Sequence, residues 1–281
     1  MRLIYTVADM ALTQKEVDRP LGLFPTLGAL HQGHLSLVRR AREDNATLVA
    51  SIFVNPTQFG PKEDLQAYPR NLERDIALLK EMGTDLVFIP QPDDMYPARF
   101  DTWVDAGRIA SCLEGESRPG HFKGVATVVA KLFNIVRPDR AYFGQKDAQQ
   151  VQVIRRMNDD LNLGVALIVL PTVREPDGLA MSSRNAKLSP QERQAALVLY
   201  RSLCEAKRIY GQEERQAQAI RKAIQSIIQA EPMAHLDYIS IANPDTLEEL
   251  DAIQESVLVS LAVRIGKTRL IDNIVLSNEG V

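Results

Sequence analysis

The chain has 281 residues, 45% of them hydrophobic, and a formal net charge of −3. This length favours one or two domains, and the charge offers no global basic surface for nucleic acid. No apolar run reaches the length of a membrane span, and the N-terminus lacks the features of a signal peptide. The two cysteines, Cys112 and Cys204, are distant and fit a reducing compartment. We therefore expect a cytoplasmic protein with neither nucleic acid nor a membrane as a partner.

Strand and helix signals alternate through the first part of the chain. Apolar runs predict strands at 21–25, 47–54, 86–89, 141–143 and 165–170. Amphipathic segments predict helices at 34–44, 71–82, 124–136 and 148–161. This alternation predicts an α/β fold with a Rossmann-like, doubly wound parallel sheet, right-handed crossovers and helices on both faces. Ligands of such sheets bind at the carboxyl ends of the strands.

The character of the sequence changes after residue 170. A polar loop spans 171–188, and a helix then begins at the capping signal Ser189-Pro190-Gln191-Glu192. A second helix is predicted at 213–230, and the segment 237–242 then leads to a turn at Asn243-Pro244. Strands are predicted at 256–265 and 268–275. We therefore predict a first domain of residues 1–175 and a smaller C-terminal α+β domain of residues 176–281.

The run PTLGALHQGH at 25–34 follows the first predicted strand and opens the first predicted helix. A helix start offers unpaired N–H groups and the positive end of a dipole to an anion, and Gly28 and Gly33 allow close backbone approach. His31 and His34 could donate hydrogen bonds to phosphoryl oxygens as charge builds on them. Two other interpretations stay open from this motif alone. One is a metal-binding pair, although the motif holds no third ligand, and the other is helix capping.

Two further clusters flank predicted elements. Asn55 and Gln58 come off the end of the second strand and place neutral amides at the ligand edge, although a plain turn would carry the same residues. Arg118, His121 and Lys123 lie in a Gly/Pro loop before a helix. Such a loop suits an anion, and a solvated loop is the alternative.

Charged and hydroxyl residues also mark two later segments. Gly144 permits close approach after another strand, Lys146 is a point charge for phosphate, and Asp147 can cap the next helix or bind ribose or a metal-bound water. The run Met181-Ser182-Ser183-Arg184-Asn185 lies in the polar loop between the predicted domains. Two hydroxyls and a guanidinium there could close over a triphosphate.

In chain order, the runs PTLGALHQGH, FVNPTQF, RPGHFKGV, YFGQKDAQQ and MSSRN resemble the pantothenate synthetase (pantoate–β-alanine ligase) family over essentially the whole chain. This family belongs to the nucleotidylyltransferase superfamily, in which a His-x-Gly-His motif and a Lys-Met-Ser-Lys-Ser loop grip ATP. The sequence departs from the family pattern at Leu27, where Met is usual, and at Gln32, where Glu is usual. Leucine keeps the apolar bulk, whereas glutamine removes a charge beside the predicted pocket.

The resemblance implies an ATP-dependent ligase of pantothenate and coenzyme A biosynthesis. It implies that pantoate and ATP form a pantoyl adenylate and pyrophosphate, and that β-alanine then yields pantothenate and AMP. The first domain would bind the nucleotide and pantoate, and the second would act as a lid that excludes water. The resemblance also implies a homodimer, and Mg²⁺ that accompanies ATP without a dedicated protein metal site.

The resemblance also assigns roles to individual residues. It implies catalysis by His34, His31 and Lys146. It implies substrate binding by Asn55, by Gln58 toward pantoate and β-alanine, and by Gln150 toward pantoate. It implies ATP contacts from Leu27, Gly28, Ala29, Leu30, His31, Gln32, Gly33, His34, Gly144, Gln145, Lys146, Asp147, Val173, Met181, Ser182, Ser183 and Arg184.

Two other function classes compete with the ligase. A nucleotidyltransferase with a phosphorylated acceptor would need extra cations in the acceptor site, whereas Asn55, Gln58 and Gln150 are neutral. A non-catalytic nucleotide sensor or a tRNA-binding synthetase fragment is the third class. The missing basic patch argues against tRNA, and the retained Lys146 and Arg184 argue against an inactive module.

Overall fold

The computed structural model describes residues 1–60, 65 and 68–278. The chain divides into two compact units, Met1–Pro171 and Thr172–Val281. This division falls after Pro171, four residues before the predicted end of the first domain at residue 175. Within the described ranges, no helix has both the length and the apolar character needed to cross a lipid bilayer.

The first unit is built on a six-stranded sheet in which every neighbouring pair is parallel. Its strands are β1 (Arg2–Ile4), β2 (Leu21–Thr26), β3 (Thr47–Ile52), β4 (Leu86–Phe88), β5 (Arg140–Gly144) and β6 (Ala166–Leu170). Their spatial order is β1-β4-β3-β2-β5-β6. The helices are α1 (Val7–Thr13), α2 (Gln32–Asp44), α3 (Leu72–Glu81), α4 (Pro92–Met95), α5 (Glu114–Ser117), α6 (His121–Val136) and α7 (Ala148–Asp160). The predicted α/β fold class is confirmed.

The core of the first unit follows the hydrophobic pattern of the sequence. All six residues of β3 are buried, which explains why this strand reads as a continuous apolar run. Leu35, Val38 and Ala41 of α2 lie on one face and pack in the same core. Strand β1 is not among the predicted strands, because a three-residue edge strand is too short to show periodicity.

The second unit pairs three helices with an antiparallel sheet. The helices are α8 (Pro190–Ala195), α9 (Leu197–Gly211) and α10 (Ala217–Gln229), and the strands are β7 (Ala234–Ala242), β8 (Ser256–Ile265) and β9 (Thr268–Ser277). The strands lie in the order β7-β8-β9. Ser189 and Glu192 form the predicted capping box at the start of α8. Ile220, Ile224 and Ile228 form the buried stripe of α10.

The segment 171–188, interpreted from sequence as a polar loop, is largely a hydrogen-bonded turn of the second unit. The Met181 N–H donates to the Val173 carbonyl at 3.0 Å, and the Glu175 N–H donates to the Leu179 carbonyl at 2.8 Å. Arg174 makes a bidentate ion pair with Asp272 of β9, with N–O distances of 2.6 and 3.0 Å. The polar residues of this segment therefore bind each other and the sheet, a pairing that sequence spacing does not reveal.

Candidate active site

The strand order places a topological switch point between β2 and β5. From β2 the sheet continues through β3 and β4 on one side, and through β5 and β6 on the other. The chain leaves the carboxyl ends of these two neighbours at Thr26 and Gly144. A crevice at such a point is where open α/β sheets bind ligands. The His31–His34 motif follows β2, and Lys146 follows β5, so both lie at this edge.

The turn between β2 and α2 has an unusual backbone. Gly28 has φ of 92° and Ala29 has φ of 53°, and both values lie in the left-handed region. For alanine that conformation costs roughly 1 kcal/mol. The Asp75 carboxylate of α3 accepts the N–H of Ala29 at 2.8 Å and that of Leu30 at 2.9 Å. These two bonds hold the strained turn in place.

Asp75 is a functional candidate that the sequence analysis missed. It is 1% exposed. A signal was available, because Asp75 lies on the same helical stripe as Leu72, Ile76 and Leu79, where an apolar residue is expected. An acidic residue inside an apolar stripe indicates a buried partner.

The two histidines of the motif lie face to face at the start of α2. Their ring centroids are 3.9 Å apart in a stacked arrangement. The His31 N–H donates to Nδ1 of His34 over a long 3.4 Å bond. Because Nδ1 of His34 accepts, the proton of the neutral ring sits on Nε2, which can donate to a ligand. Nδ1 of His31 is buried and has no hydrogen-bond partner among the described residues.

Burial keeps both imidazoles neutral. Burial and then the neighbouring His31 lower the pKa of His34 to about 3, against the opposing effect of Asp147. Burial and then the Lys146 ammonium lower the pKa of His31. Lys146 and Asp147 are therefore close enough to act on both rings, and their own charged groups lie 3.7 Å apart. The site combines two neutral N–H donors with one lysine cation.

A network of neutral amides lies beyond the end of β3. Asn55 is fully buried, and its Nδ2 donates to Gln58 Oε1 at 3.0 Å and to the Gly124 carbonyl at 3.2 Å. Its Oδ1 accepts from the Tyr96 hydroxyl at 2.8 Å and from the Thr57 hydroxyl at 2.9 Å. Because the Gly124 carbonyl can only accept, the orientation of Asn55 is fixed, and the Gln58 atom facing it must be oxygen. Asn55 is predicted to bind substrate. In the structure, both the nitrogen and the oxygen of its side-chain amide are hydrogen-bonded to other protein groups, and the amide orients Gln58.

His121 supports the same turn from α6. Its Nδ1 lies 2.8 Å from the Gln58 carbonyl oxygen, and its Nε2 lies 3.0 Å from Nη1 of Arg118. A carbonyl only accepts and a guanidinium only donates, so the ring is the neutral Nδ1–H tautomer. Arg118 and His121 are thus tied to the backbone of Gln58, whereas Lys123 places its ammonium 5.6 Å from the Trp103 ring centroid. From sequence these three residues fitted either an anion-binding loop or a solvated loop.

The remaining predicted residues fall into two groups. Gln145, Lys146 and Asp147 form a single 3₁₀ turn after β5, and Gln150 is half-buried on the first turn of α7. Its neighbour Gln149 is committed to the protein, because it donates to the carbonyls at 109 and 112. In the part of the chain that the structure describes, no three His, Cys, Asp or Glu side chains come together as a metal cluster.

The second unit carries the other predicted nucleotide contacts. Val173 and Met181 face each other across the hydrogen-bonded turn. The Ser182 hydroxyl accepts the Arg184 N–H at 3.2 Å, and the Arg184 guanidinium donates to the Arg269 carbonyl at 3.4 Å. Ser183 begins the 3₁₀ turn Ser183–Lys187. These residues form one ordered strip on the second unit.

A model of the Pantoate-beta-alanine ligase family matches residues 2–275 of this chain. The chain belongs to the pantoate–β-alanine ligase family. It is 58% identical to a pantothenate synthetase of Roseiflexus castenholzii over 98% of this chain and 99% of that protein. It is 56% identical to one of Dehalococcoides mccartyi over 95% of this chain and 100% of that protein. The family resemblance drawn from the motifs is confirmed.

Solved structures of pantoate–β-alanine ligases share the whole fold. The crystal structure of pantothenate synthetase from Thermus thermophilus matches with a TM-score of 0.92 at 48% identity, over 98% of this chain and 99% of that one. The Francisella tularensis pantoate-beta-alanine ligase, complexed with Beta-gamma ATP and Beta-alanine, matches with a TM-score of 0.80 at 35% identity, over 98% and 97%. As a member of this ligase family, the chain is an ATP-dependent ligase.

Proposed function

We propose that this chain joins pantoate to β-alanine in two steps. In the first step a pantoate carboxylate oxygen attacks the α-phosphorus of ATP, which forms pantoyl adenylate and expels pyrophosphate. In the second step the β-alanine amine attacks the acyl carbon, which forms pantothenate, expels AMP and releases a proton. The observation that carries this proposal is the cluster of His31, His34 and Lys146 at the switch point of a chain in this ligase family.

The first step places negative charge on phosphoryl oxygens, and the cluster is suited to stabilise it. His34 would donate its Nε2–H, and His31 would act beside it as a second neutral donor. Lys146 would bind oxygens on the pyrophosphate side. Neutral donors avoid the cost of burying a second and third cation in the same crevice.

Magnesium fits this site as a companion of ATP. Mg²⁺ keeps several waters and takes one or two carboxylates together with phosphate oxygens. Asp147 is the carboxylate beside Lys146 at this edge, and its side chain is 50% exposed, so it could hold a metal-bound water. When bound, the ion would neutralise charge on the phosphates.

Pantoate would bind at the neutral amides. Gln58, oriented by Asn55, and Gln150 would bind its hydroxyl and carboxylate oxygens, and Gln58 would also meet β-alanine. Neutral amides favour this acceptor over a phosphorylated one, which would need cations. This supports the ligase over a nucleotidyltransferase with a phosphorylated acceptor.

The decisive experiment separates the two steps. The protein is incubated with ATP, Mg²⁺ and pantoate, and exchange of labelled pyrophosphate into ATP is measured with and without β-alanine. We expect exchange with pantoate alone, and AMP and pantothenate by mass once β-alanine is added. Exchange that strictly required β-alanine would argue against a free-standing adenylate, and absence of both products would refute the function.

Gln58 provides a prediction about substrate binding. Gln58→Ala should raise the KM for pantoate at least about fivefold, because loss of a buried hydrogen-bonding partner costs roughly 1–3 kcal/mol. ATP binding should change little. Steady-state kinetics with each substrate varied will test this, with Gln152→Ala on the half-buried side of α7 as a control. Unchanged KM values for both small substrates would reassign Gln58 to a structural role.

We further propose that the second unit acts as the lid. ATP would be contacted by Val173, Met181, Ser182, Ser183 and Arg184, and closure would shield the adenylate from water. The chemistry of this strip supports the proposal, since hydroxyls and a guanidinium suit phosphate oxygens.

Hydrogen exchange provides the prediction for the lid. ATP with Mg²⁺ should protect the backbone of 182–187, and Arg184→Ala should abolish that protection. The turn at 173–181 is already hydrogen-bonded, so its exchange should change less. Lys187→Ala, an exposed residue of the same turn, is the matched control. Equal exchange with and without nucleotide would count against the lid.

The proposal extends to a homodimer in the cytoplasm. The family resemblance supports the dimer, and the presence of only two cysteines, far apart in the sequence, supports a reducing compartment. Sedimentation at micromolar concentration will distinguish dimer from monomer.

A further inference from the structure

One buried carboxylate has no part in the reaction as proposed. Asp75 lies inside α3, 1% exposed, and both of its oxygens accept backbone N–H groups from the turn between β2 and α2. Its neighbour Arg74 donates to the Leu30 carbonyl at 3.3 Å. Two consecutive residues of one helix therefore bind both backbone polar groups of Leu30.

The turn depends on this carboxylate for its shape. The left-handed conformations of Gly28 and Ala29 point two successive N–H groups at Asp75. Without an acceptor, the buried N–H of Leu30 and the partly buried N–H of Ala29 would be unpaired, and the backbone would relax toward other conformations. The fit is close, since a methyl group built on Gly28 would lie 3.0 Å from Oδ2 of Asp75.

The shape of the turn sets the position of the histidines. His31 follows Leu30 directly, and its backbone N–H is the group that donates to Nδ1 of His34. The His31 carbonyl also accepts the His34 N–H at 2.8 Å at the start of α2. A shift of the turn therefore moves the donor that selects the Nε2–H tautomer of His34.

We propose that Asp75 is a positioning residue for adenylate formation. It holds the backbone of 28–30 in the one shape that presents His31 and His34, correctly protonated, to the nucleotide. The catalytic part of this inference rests on the proposed function.

The kinetic test compares wild-type enzyme with Asp75→Asn, which keeps the size of the side chain but replaces one acceptor oxygen by an N–H donor. We expect kcat for pyrophosphate exchange to fall at least about tenfold, because small misplacements of catalytic groups are costly. The KM for pantoate should stay within about twofold, because Gln58 and Gln150 lie on other elements. Glu73→Gln, an exposed acidic residue of the same helix, is the matched control and should leave kcat unchanged.

A spectroscopic readout is independent of turnover. The chain has only four histidines, so the ¹⁵N signals of the His34 ring can be assigned by single substitution. Wild-type protein should show the Nε2–H tautomer at neutral pH, and Asp75→Asn should show a mixture of tautomers. If Asp75→Asn does not fold, Arg74→Gln, which releases only the Leu30 carbonyl, should show the same selective loss of kcat.

The outcomes separate the two hypotheses. Wild-type protein that makes no pantothenate refutes the proposed function, while a changed His34 tautomer in Asp75→Asn still supports the positioning role. Active wild-type protein with an unchanged kcat and tautomer in the variants overturns the positioning role alone. A kcat loss that only matches the unfolded fraction, with a native His34 signal, also overturns it.

Discussion

Replacing His34 by alanine will lower the turnover of adenylation at least about a hundredfold, as loss of a comparable charge-stabilising donor does elsewhere. The Nε2–H of His34 would strengthen its hydrogen bond as charge develops on phosphoryl oxygen, so its loss acts mainly on the transition state. ATP binding should weaken much less. Pyrophosphate exchange with pantoate gives the turnover, and nucleotide titration gives the affinity.

Two further substitutions distinguish the roles of the two nitrogens of the His34 ring. His34→Gln can place an amide N–H near the position of Nε2, whereas His34→Asn can only replace Nδ1, which accepts from His31. We expect partial activity from the glutamine variant and almost none from the asparagine variant. His235, an exposed histidine of β7, serves as the control. Near-normal turnover in His34→Ala would remove His34 from the mechanism.

The same histidine makes stability depend on pH. In the unfolded chain its pKa is the ordinary 6.5, whereas in the folded protein it is about 3. Below pH 6.5 the His34 ring takes up a proton in the unfolded state but not in the folded state. The stability that neutral His34 gives the folded protein is therefore complete above pH 6.5 and is lost as the pH falls toward 3. The free energy of unfolding should drop by up to about 1.4 kcal/mol per pH unit in that window. The free energy of unfolding can be measured at each pH by urea unfolding followed by Trp103 fluorescence. Its decrease per pH unit should be smaller in His34→Asn than in the wild-type protein.

Replacing Asp272 by alanine will destabilise the second unit by about 3–5 kcal/mol, the range for breaking a buried ion pair on one side. Asp272 is 2% exposed and binds Arg174 through both oxygens. The Arg174 guanidinium also stacks on Tyr200, 4.8 Å from the ring centroid, so it cannot easily turn to water. Hydrogen exchange of 172–278 will measure the loss, because the lone tryptophan, Trp103, reports on the first unit.

A double variant checks the origin of that loss. Arg174→Met combined with Asp272→Leu removes both charges and should recover much of the stability, because apolar replacements of similar size avoid an unpaired buried charge. Lys267→Ala in the exposed turn before β9 should cost little. An Asp272→Ala protein with unchanged exchange in 172–278 would show that the pair contributes nothing net.

Much of this fold can be predicted from the sequence because it depends on patterns among residues that are close together in the chain. The alternation of apolar runs and amphipathic helices is periodic, and it predicts a parallel sheet and therefore the edge where ligands bind. The His31–His34 motif and Lys146 follow strands that become neighbours only in the folded sheet. These motifs could be matched to a family without knowing that the two strands are neighbours.

What the sequence analysis could not predict depends on contacts between distant segments. Asp75 meets Ala29 across 46 positions of the chain, and Arg174 meets Asp272 across 98. No periodicity connects such pairs. The four partners of Asn55, which include Gly124 and Tyr96 from distant parts of the chain, are likewise not evident from its sequence position, and its contact with substrate stays a prediction.

The orientation of Gln58 fixes the polarity that this part of the site offers to a ligand. Its oxygen accepts from Asn55, so the N–H donors of the amide are the groups left for a ligand. Donors attract carboxylate and hydroxyl oxygens and repel an ammonium group. β-Alanine carries a carboxylate at one end and an ammonium group at the other. At Gln58 it would therefore bind in one orientation, with its carboxylate toward the amide and its amine directed away. In the proposed binding mode, Asn55 thereby determines which end of β-alanine is left available to react.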